Sequence, residues 1–252
     1  MPQSDFLPRP ARTRPLTVRL AHHADQVKAA QALRYQVFAE ELGARLDSRT
    51  PGLDIDLFDA YCDHLLVCDE ESEQVVGTYR ILPPAQAQRL GSYYSDAEFD
   101  LIRLQSIRPY LVELGRSCVH PDYRTGAAIA LLWGGLADYM SRYRHRYLIG
   151  CASIGMGDGG YQAVSVARQL LQRGLAPVEW RVQPRQPLPN TAFSAQGGDA
   201  AIPPLIKGYL RAGAYLCGEP AWDERFNSAD LLLLLPMERI DRRYARHFFK
   251  SV

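Results

Sequence analysis

Apolar and polar positions along the chain alternate in blocks whose period switches between that of a strand and that of a helix. "LTVRLA" (Leu16 to Ala21) has the alternation of a half-buried strand, and "ADQVKAAQALRYQVFAEEL" (Ala24 to Leu42) the spacing of a helix closed by Gly43. On that helix Arg34, Phe38 and Glu41 fall at i, i+4 and i+7, which puts them on one face. "HLLVCD" and "QVVGTYRIL" are two apolar runs joined by the polar "EESE", the pattern of a hairpin. From Pro83 to about Pro109 no period persists. "LVELGRSCV" (Leu111 to Val119) then predicts another strand. A helix from about Gly126 follows, with Ile129, Leu132, Trp133, Leu136 and Met140 on its core side. "YLIGCASI" predicts a buried strand, "YQAVSVARQLLQRG" a helix ending at Gly174, "PPLIKGYLRAGAYL" a helix and "ADLLLLLPME" the last core strand. Strands mixed with helices in this order predict an α/β fold around a mixed sheet. One domain is expected over residues 16–238, with a flexible tail at 1–15 and a basic tail at 239–252.

Composition narrows the function classes. With 252 residues, 47% of them hydrophobic, and a formal net charge of +1, the chain can bury a substantial core. That balance exerts no general pull on nucleic acid, so no nucleic-acid partner is expected. Charge is nevertheless uneven. Between Glu40 and Glu73 eleven acids face only Arg45 and Arg49, whereas Arg239 to Lys250 carries five Arg or Lys against Asp241. Five cysteines without a C-x-x-C pair argue for reduced thiols and a cytoplasmic setting. The apolar runs "LLLLLP" and "AAIALLWGGLA" are too short to span a bilayer, for which about 20 residues are needed. Only the basic tail suggests peripheral contact with the inner membrane surface.

Several motifs invite a chemical reading. Gly155 to Gly160 fits G-x-G-x-x-G between a strand and a helix, with Glu179 beyond it, as a dinucleotide site asks. However, Glu179 lies inside "VEWRV", and no regular βαβ series surrounds it. "DIDLFDAYCDH" carries Asp54, Asp56, Asp59 and Asp63 but lacks the glycine and glutamate of a calcium loop. It reads either as a solvated acidic loop or as a receiver for a cationic group. Cys62, His64 and Cys68 match no standard zinc spacing, and Cys118 with His120 is a weak nucleophile pair, so no metal is expected. The strongest signal is Glu113 and Arg116 inside a strand that is otherwise apolar, because a buried charge must be paired or put to use. Three apart, they reach one pocket only if the strand is bulged, and Gly115 permits a bulge near Leu114 and Gly115. The alternative is a buried structural ion pair.

At this strand the sequence resembles the GNAT acyltransferases, in which a bulged fourth strand splays from the fifth and the acyl-thioester arm lies in the opening. "LVELGRSCV" would be the fourth strand and "YLIGCASI" the fifth. "LRYQVFAEELGA", "DAYCDHLLVCD", "VVGTYRIL", "YSDAEFDL", "ELGRSCVHPDYR", "LLWGGLADY", "YLIGCASI" and "PPLIKGYLRAGA" narrow the likeness to the ornithine Nα-acyltransferases. These make lyso-ornithine lipid from ornithine and 3-hydroxyacyl-acyl-carrier protein. Acyl-homoserine lactone synthases are cousins, and Arg34, Phe38, Arg80, Glu113 and Arg116 match their signature spacing. Ala44 stands where those synthases carry tryptophan, which counts against lactone synthesis. Transfer to another amino acid, a nucleotide-binding oxidoreductase and a membrane-active protein are the other readings.

The resemblance implies direct transfer, with an N–H of the splayed strand holding the oxyanion. Glu113 is the first candidate to take the ammonium proton, with Asp56 and Asp59 next. Arg34, Arg80 and Arg116, with Phe38, would orient carboxylates or hold the substrate, and Asp54 and Asp63 would help receive its side-chain ammonium. Ser117, Cys118, Val119, Arg124 and Gly126 would line the acyl and pantetheine path. "RTGAAI" from Arg124 does not keep the usual GNAT phosphate register, which suits the phosphopantetheine of acyl-carrier protein better than coenzyme A. No cofactor beyond that donor is expected.

Overall fold

The structure, a computed structural model, describes residues 15–124, 126–189 and 199–240. The expected tails fall almost wholly outside these residues. Five α-helices and an eight-stranded sheet carry the fold. In chain order the strands are β1 (Leu16–Leu20), β2 (Asp63–Asp69), β3 (Val75–Leu82), β4 (Leu111–Val119), β5 (Tyr147–Gly155), β6 (Tyr215–Leu216), β7 (Ala221–Asp223) and β8 (Ser228–Pro236). The helices are α1 (Ala24–Tyr35), α2 (Pro84–Leu90), α3 (Ala127–Arg142), α4 (Tyr161–Arg173) and α5 (Pro204–Ala212). Sheet order is β1-β2-β3-β4-β5-β8-β6, with β7 also pairing β8. Only the β4–β5 pair is parallel, so the sheet is mixed as expected.

Period-2 alternation divides the strands between two faces. Leu65, Val67, Tyr79, Leu114, Leu148, Leu231, Leu233 and Leu235 turn to the largest core cluster, which α3, α4 and α5 cover. Leu66 and Cys68 face α1, and Leu111, Ile149, Leu232 and Leu234 lie on that same side under the segment that follows β3. Gly135 lets α3 sit close on the hairpin, since a Cβ there would come within 2.8 Å of Val18 Cγ2. Most of the expected face of α3 is buried, but Ile129 is exposed, because the helix turns Ala128 and Leu132 inward instead.

Two local features differ from expectation. The segment after β3 is not irregular throughout: Pro84 opens α2 at its first turn, and Gly91 closes it with φ +88°. Beyond α2, short 3₁₀ turns carry Tyr94, Ser95 and Glu98 back against the sheet. The chain at α1 does not run as one α-helix either. After Tyr35 it widens into a π-helical turn, Gln36–Glu41, which shifts Phe38 and Glu41 off the α-helical face of Arg34.

Candidate functional site

The pairing of β4 with β5 stops early. Leu111, Val112 and Glu113 face Tyr147, Leu148 and Ile149, and past that point β4 is paired with β3 alone. Gly150 lets the two backbones meet at the apex of the fork, because a Cβ there would lie 2.7 Å from the Leu114 carbonyl oxygen. Beyond the apex a cavity of about 530 Å³ opens through the sheet.

The bulge in β4 is present, one to two residues later than expected. Thr78 faces Cys118 and Arg80 faces Gly115, so β4 carries an extra residue between them. The left-handed conformation falls on Arg116 (φ +50°) and not on Gly115. Such a backbone is unfavourable for a residue with a Cβ unless its surroundings impose it. Here they do: the guanidinium donates to Asp54 at 3.0 Å and to Asp56 at 3.4 Å, and it stacks over the rings of Tyr94 and Phe226.

Arg116 belongs to a buried network of three arginines and three aspartates. Arg34 donates to Asp54 at 2.9 Å and to Asp59 at 2.8 Å, and Arg80 to Asp56 at 2.6 Å and Asp59 at 3.0 Å. Three cations meet three anions, so the loop that looked like a cation receiver is already neutralised. Arg34 thus orients carboxylates, one of the two roles expected of it, and two other expectations are corrected. Arg34 is fully buried behind Asp54 and Asp59 and away from the cavity wall. Asp56 and Asp59 are also off that wall; both carboxyls are committed to arginines, and Asp56 caps the turn Leu57–Tyr61 as well, so neither is placed to act as a base. Burial would raise the Asp59 carboxyl, but hydrogen bonding and charge from Arg34 and Arg80 hold it well below the usual carboxylate range. Asp63 does not join the network, because it opens to the other face and accepts from Tyr139 of α3 at 2.7 Å.

Glu113 and Arg116 do not form the alternative ion pair; each has other partners. Glu113 lines the cavity, and its carboxylate accepts from Tyr94 N–H at 2.6 Å, from Ser95 N–H at 2.9 Å and from the Ser95 hydroxyl. Burial pushes it above the usual range, against the pull of those donors and of Arg80. Phe38, Arg80, Arg116 and Ser117 also line the cavity. Cys118 and Val119 do not; both are buried in the sheet, and burial pushes the Cys118 thiol up to about 12. Gly126, off the cavity wall, precedes α3 with φ +89° and no side-chain cap. Arg124 beside it is held by Glu41 through two 2.6 Å contacts.

Residues 33–134 match the family model described as an acetyltransferase (GNAT) domain. L-ornithine N(alpha)-acyltransferase of Brucella abortus (strain 2308) is 38% identical over 249 residues, covering 92% of this chain and 88% of that protein. The enzyme of that name from Rhizobium meliloti (strain 1021) is 38% identical over 265 residues, covering 98% of this chain and 88% of its own. The chain belongs to the L-ornithine N(alpha)-acyltransferase family. Solved structures agree on the fold. The acyl-homoserine lactone synthase LasI aligns with TM-score 0.56 at 14% identity, over 95% of this chain and 97% of that one. FeeM, an N-acyl amino acid synthase from uncultured soil microbes, aligns with TM-score 0.57 at 14% identity, over 91% and 94%.

At this cavity the sequence reading passed over a second acidic group. Asp230 of β8, buried, and Asp223 of β7 line the cavity, and a carboxylate oxygen of Glu98 lies 3.2 Å from Cys151 Sγ. Glu98, Cys151 and Asp230 bring their ligand atoms within 4.8 Å of one another. Unlike the Asp54, Asp56 and Asp59 network, they have no arginine or lysine within ion-pair distance among the described residues. Burial and the neighbouring Asp230 push Glu98 up to about 9. The signal was present in "SADLLLLLP", where Asp230 is a charge in a core strand just as Glu113 is. The dinucleotide reading fails on geometry: Asp158 accepts from Gly160 N–H and Gln162 N–H at the start of α4, where a pyrophosphate would bind, and Glu179 sits in a 3₁₀ turn. No described helix is long and apolar enough to cross a membrane.

Proposed function

We propose that the chain transfers a 3-hydroxyacyl group from acyl-carrier protein to the α-amine of ornithine, giving lyso-ornithine lipid. The observation that carries this reading is the fork between β4 and β5, which opens one cavity onto both faces of the sheet. On the α1 side the cavity meets Arg80, Glu113, Asp223 and Asp230, a polar chamber suited to an amino acid. On the other side it meets Leu114, Leu148, Leu233 and Leu235, an apolar channel suited to an acyl chain. Donor and acceptor therefore meet at the fork from opposite faces.

The chemistry follows from that placement. Glu113 takes a proton from the ammonium, its raised affinity for protons bringing it closer to the amine. The free amine attacks the thioester carbonyl, and a backbone N–H on the unpaired edge of β4 holds the oxyanion. The C–N bond forms, the C–S bond breaks, a second of the ammonium's three protons leaves with the carrier thiol, and the third stays on the amide nitrogen. Arg116, fixed between Tyr94 and Phe226, meets the substrate carboxylate. The side-chain ammonium goes to Asp230 and Glu98, which have no cationic partner among the described residues, and not to the aspartate loop. The uncapped N-terminus of α3 at Gly126 offers backbone N–H groups to the phosphodiester of phosphopantetheine. Arg124 joins it by exchanging Glu41 for phosphate, an inexpensive exchange because exposed pairs contribute only about 0–1 kcal/mol.

Steady-state kinetics with purified protein, ornithine and matched 3-hydroxyacyl donors test this, with the product read by mass spectrometry. Acyl-ornithine should form, with higher kcat/KM from the carrier protein than from coenzyme A. Glu113→Gln should keep its melting temperature and lose turnover by about 10² or more, with partial recovery as pH rises and free amine accumulates. Equal kcat/KM from acyl-coenzyme A would remove the carrier-protein donor. Turnover near normal in a folded Glu113→Gln would remove Glu113 as the base.

A further inference from the structure

The acyl channel is apolar except at one point. Tyr79 of β3 and Tyr209 of α5 both line it, both are buried, and their hydroxyl oxygens lie 2.9 Å apart. Ser117, on the bulged part of β4, lines the cavity with them, and its hydroxyl opposes the rise that burial imposes on the Tyr79 phenol. A line of three hydroxyls therefore runs from the strand that holds the thioester into the channel. The neighbouring wall is Leu114, Leu148, Leu233 and Leu235, which offer no hydrogen bond. The Tyr209 ring packs at a tilt against Trp133, ring centres 4.6 Å apart, which restricts the position of its hydroxyl.

Resting on the acyltransferase reading above, we propose that Tyr79 and Tyr209 recognise a hydroxyl carried by the acyl chain close to its thioester carbon. A phenol hydroxyl both donates and accepts, so Tyr79 can add a chain hydroxyl to its contacts with Tyr209 and Ser117. In an otherwise apolar channel that hydroxyl would be buried without a partner, which is costly; the tyrosine pair removes the penalty. An alkyl chain without a hydroxyl gains nothing from the pair. The tyrosines thus select between donors of equal length. They lie on the face of the sheet opposite Glu113 and Asp230, so this selection is separate from recognition of the amine.

Two readouts test the assignment. In the first, binding of unreactive acyl-pantetheine amides of one chain length, with and without a 3-hydroxyl, is measured by calorimetry. In the second, kcat/KM is measured for the corresponding acyl-carrier proteins with saturating ornithine. The native protein should favour the hydroxylated chain by about tenfold or more in both. Tyr79→Phe, which keeps the ring, should bring that ratio close to one, and Tyr209→Phe should lower the ratio in part. An unchanged ratio in Tyr79→Phe, or no preference in the native protein, would overturn the proposal. A hydroxyl preference in binding that vanishes in Tyr79→Phe, without any acyl-ornithine being formed, would uphold the tyrosine site and reject the acceptor assignment instead.

Discussion

Asp59 is held by Arg34 at 2.8 Å, Arg80 at 3.0 Å and Gln31 at 2.9 Å, with little contact with water. A buried ion pair is worth little against an apolar replacement, but removing one partner leaves an unpaired charge and costs about 3–5 kcal/mol. Asp59→Asn should therefore lower stability by about that amount at neutral pH, measured as a shift in denaturation midpoint. The pH dependence has a definite sign. The folded carboxyl titrates below its ordinary value of 3.8, so its contribution is present above that value and is lost as pH falls through the folded pKa. The difference between native and variant should then close on acidification, and equal midpoints at neutral pH would show that the network does not stabilise the fold. The sequence displayed these charges without their pairing. Glu113 and Arg116 were legible as charges in a core strand, but the partners of Arg116 lie 60 and 62 residues away along the chain, a distance no local pattern encodes.

The fork is a property of two elements and turns on one small residue. β4 and β5 approach as parallel neighbours for three residue pairs and part where Leu114 meets Gly150. A methyl group at Gly150 would lie 2.7 Å from a backbone oxygen, which cannot rotate away as a side chain can. Gly150→Ala should push the strands apart at the apex, destabilise the fold by about 1–3 kcal/mol and lower kcat/KM more than the loss of folded protein explains. Gly155→Ala is the control: it lies in the same strand with open space around its Cβ position, and it should melt with the native protein. Equal behaviour of the two variants in stability and kinetics would refute the close-approach argument. Periodicity predicted the long strands and α1, α3, α4 and α5, because each runs for several turns or alternations. It missed α2, whose seven residues are too few to establish a period, and with α2 the segment that delivers Tyr94, Ser95 and Glu98 to the site.

Among the described residues the sheet is a partition that opens at the fork between β4 and β5. Charge is distributed unequally around it: Arg34, Arg80 and Arg116 cancel Asp54, Asp56 and Asp59, while Glu98 and Asp230 have no arginine or lysine within ion-pair distance among the described residues. Their proton affinity follows. Glu98 ordinarily titrates at 4.5 but is raised to about 9 in the fold, so across that interval the folded state holds the proton more tightly and stability falls as pH rises. A bound ammonium supplies the missing positive charge, lets the pair ionise and relieves this cost. Ornithine has such a group on its side chain; norvaline, the same amino acid without it, does not. The native protein should accordingly prefer ornithine to norvaline by about 10² or more in kcat/KM, with ornithine binding releasing protons near neutral pH. Asp230→Asn should narrow that preference, chiefly through KM for ornithine, and should flatten the decline of stability with pH. Asp63→Asn should leave the preference unchanged, since Asp63 faces Tyr139 on the opposite side of the sheet. If Asp230→Asn discriminates between the two amino acids as strongly as the native protein does, the side-chain ammonium is bound elsewhere, and the uncompensated pair of carboxylates has no part in choosing the acceptor.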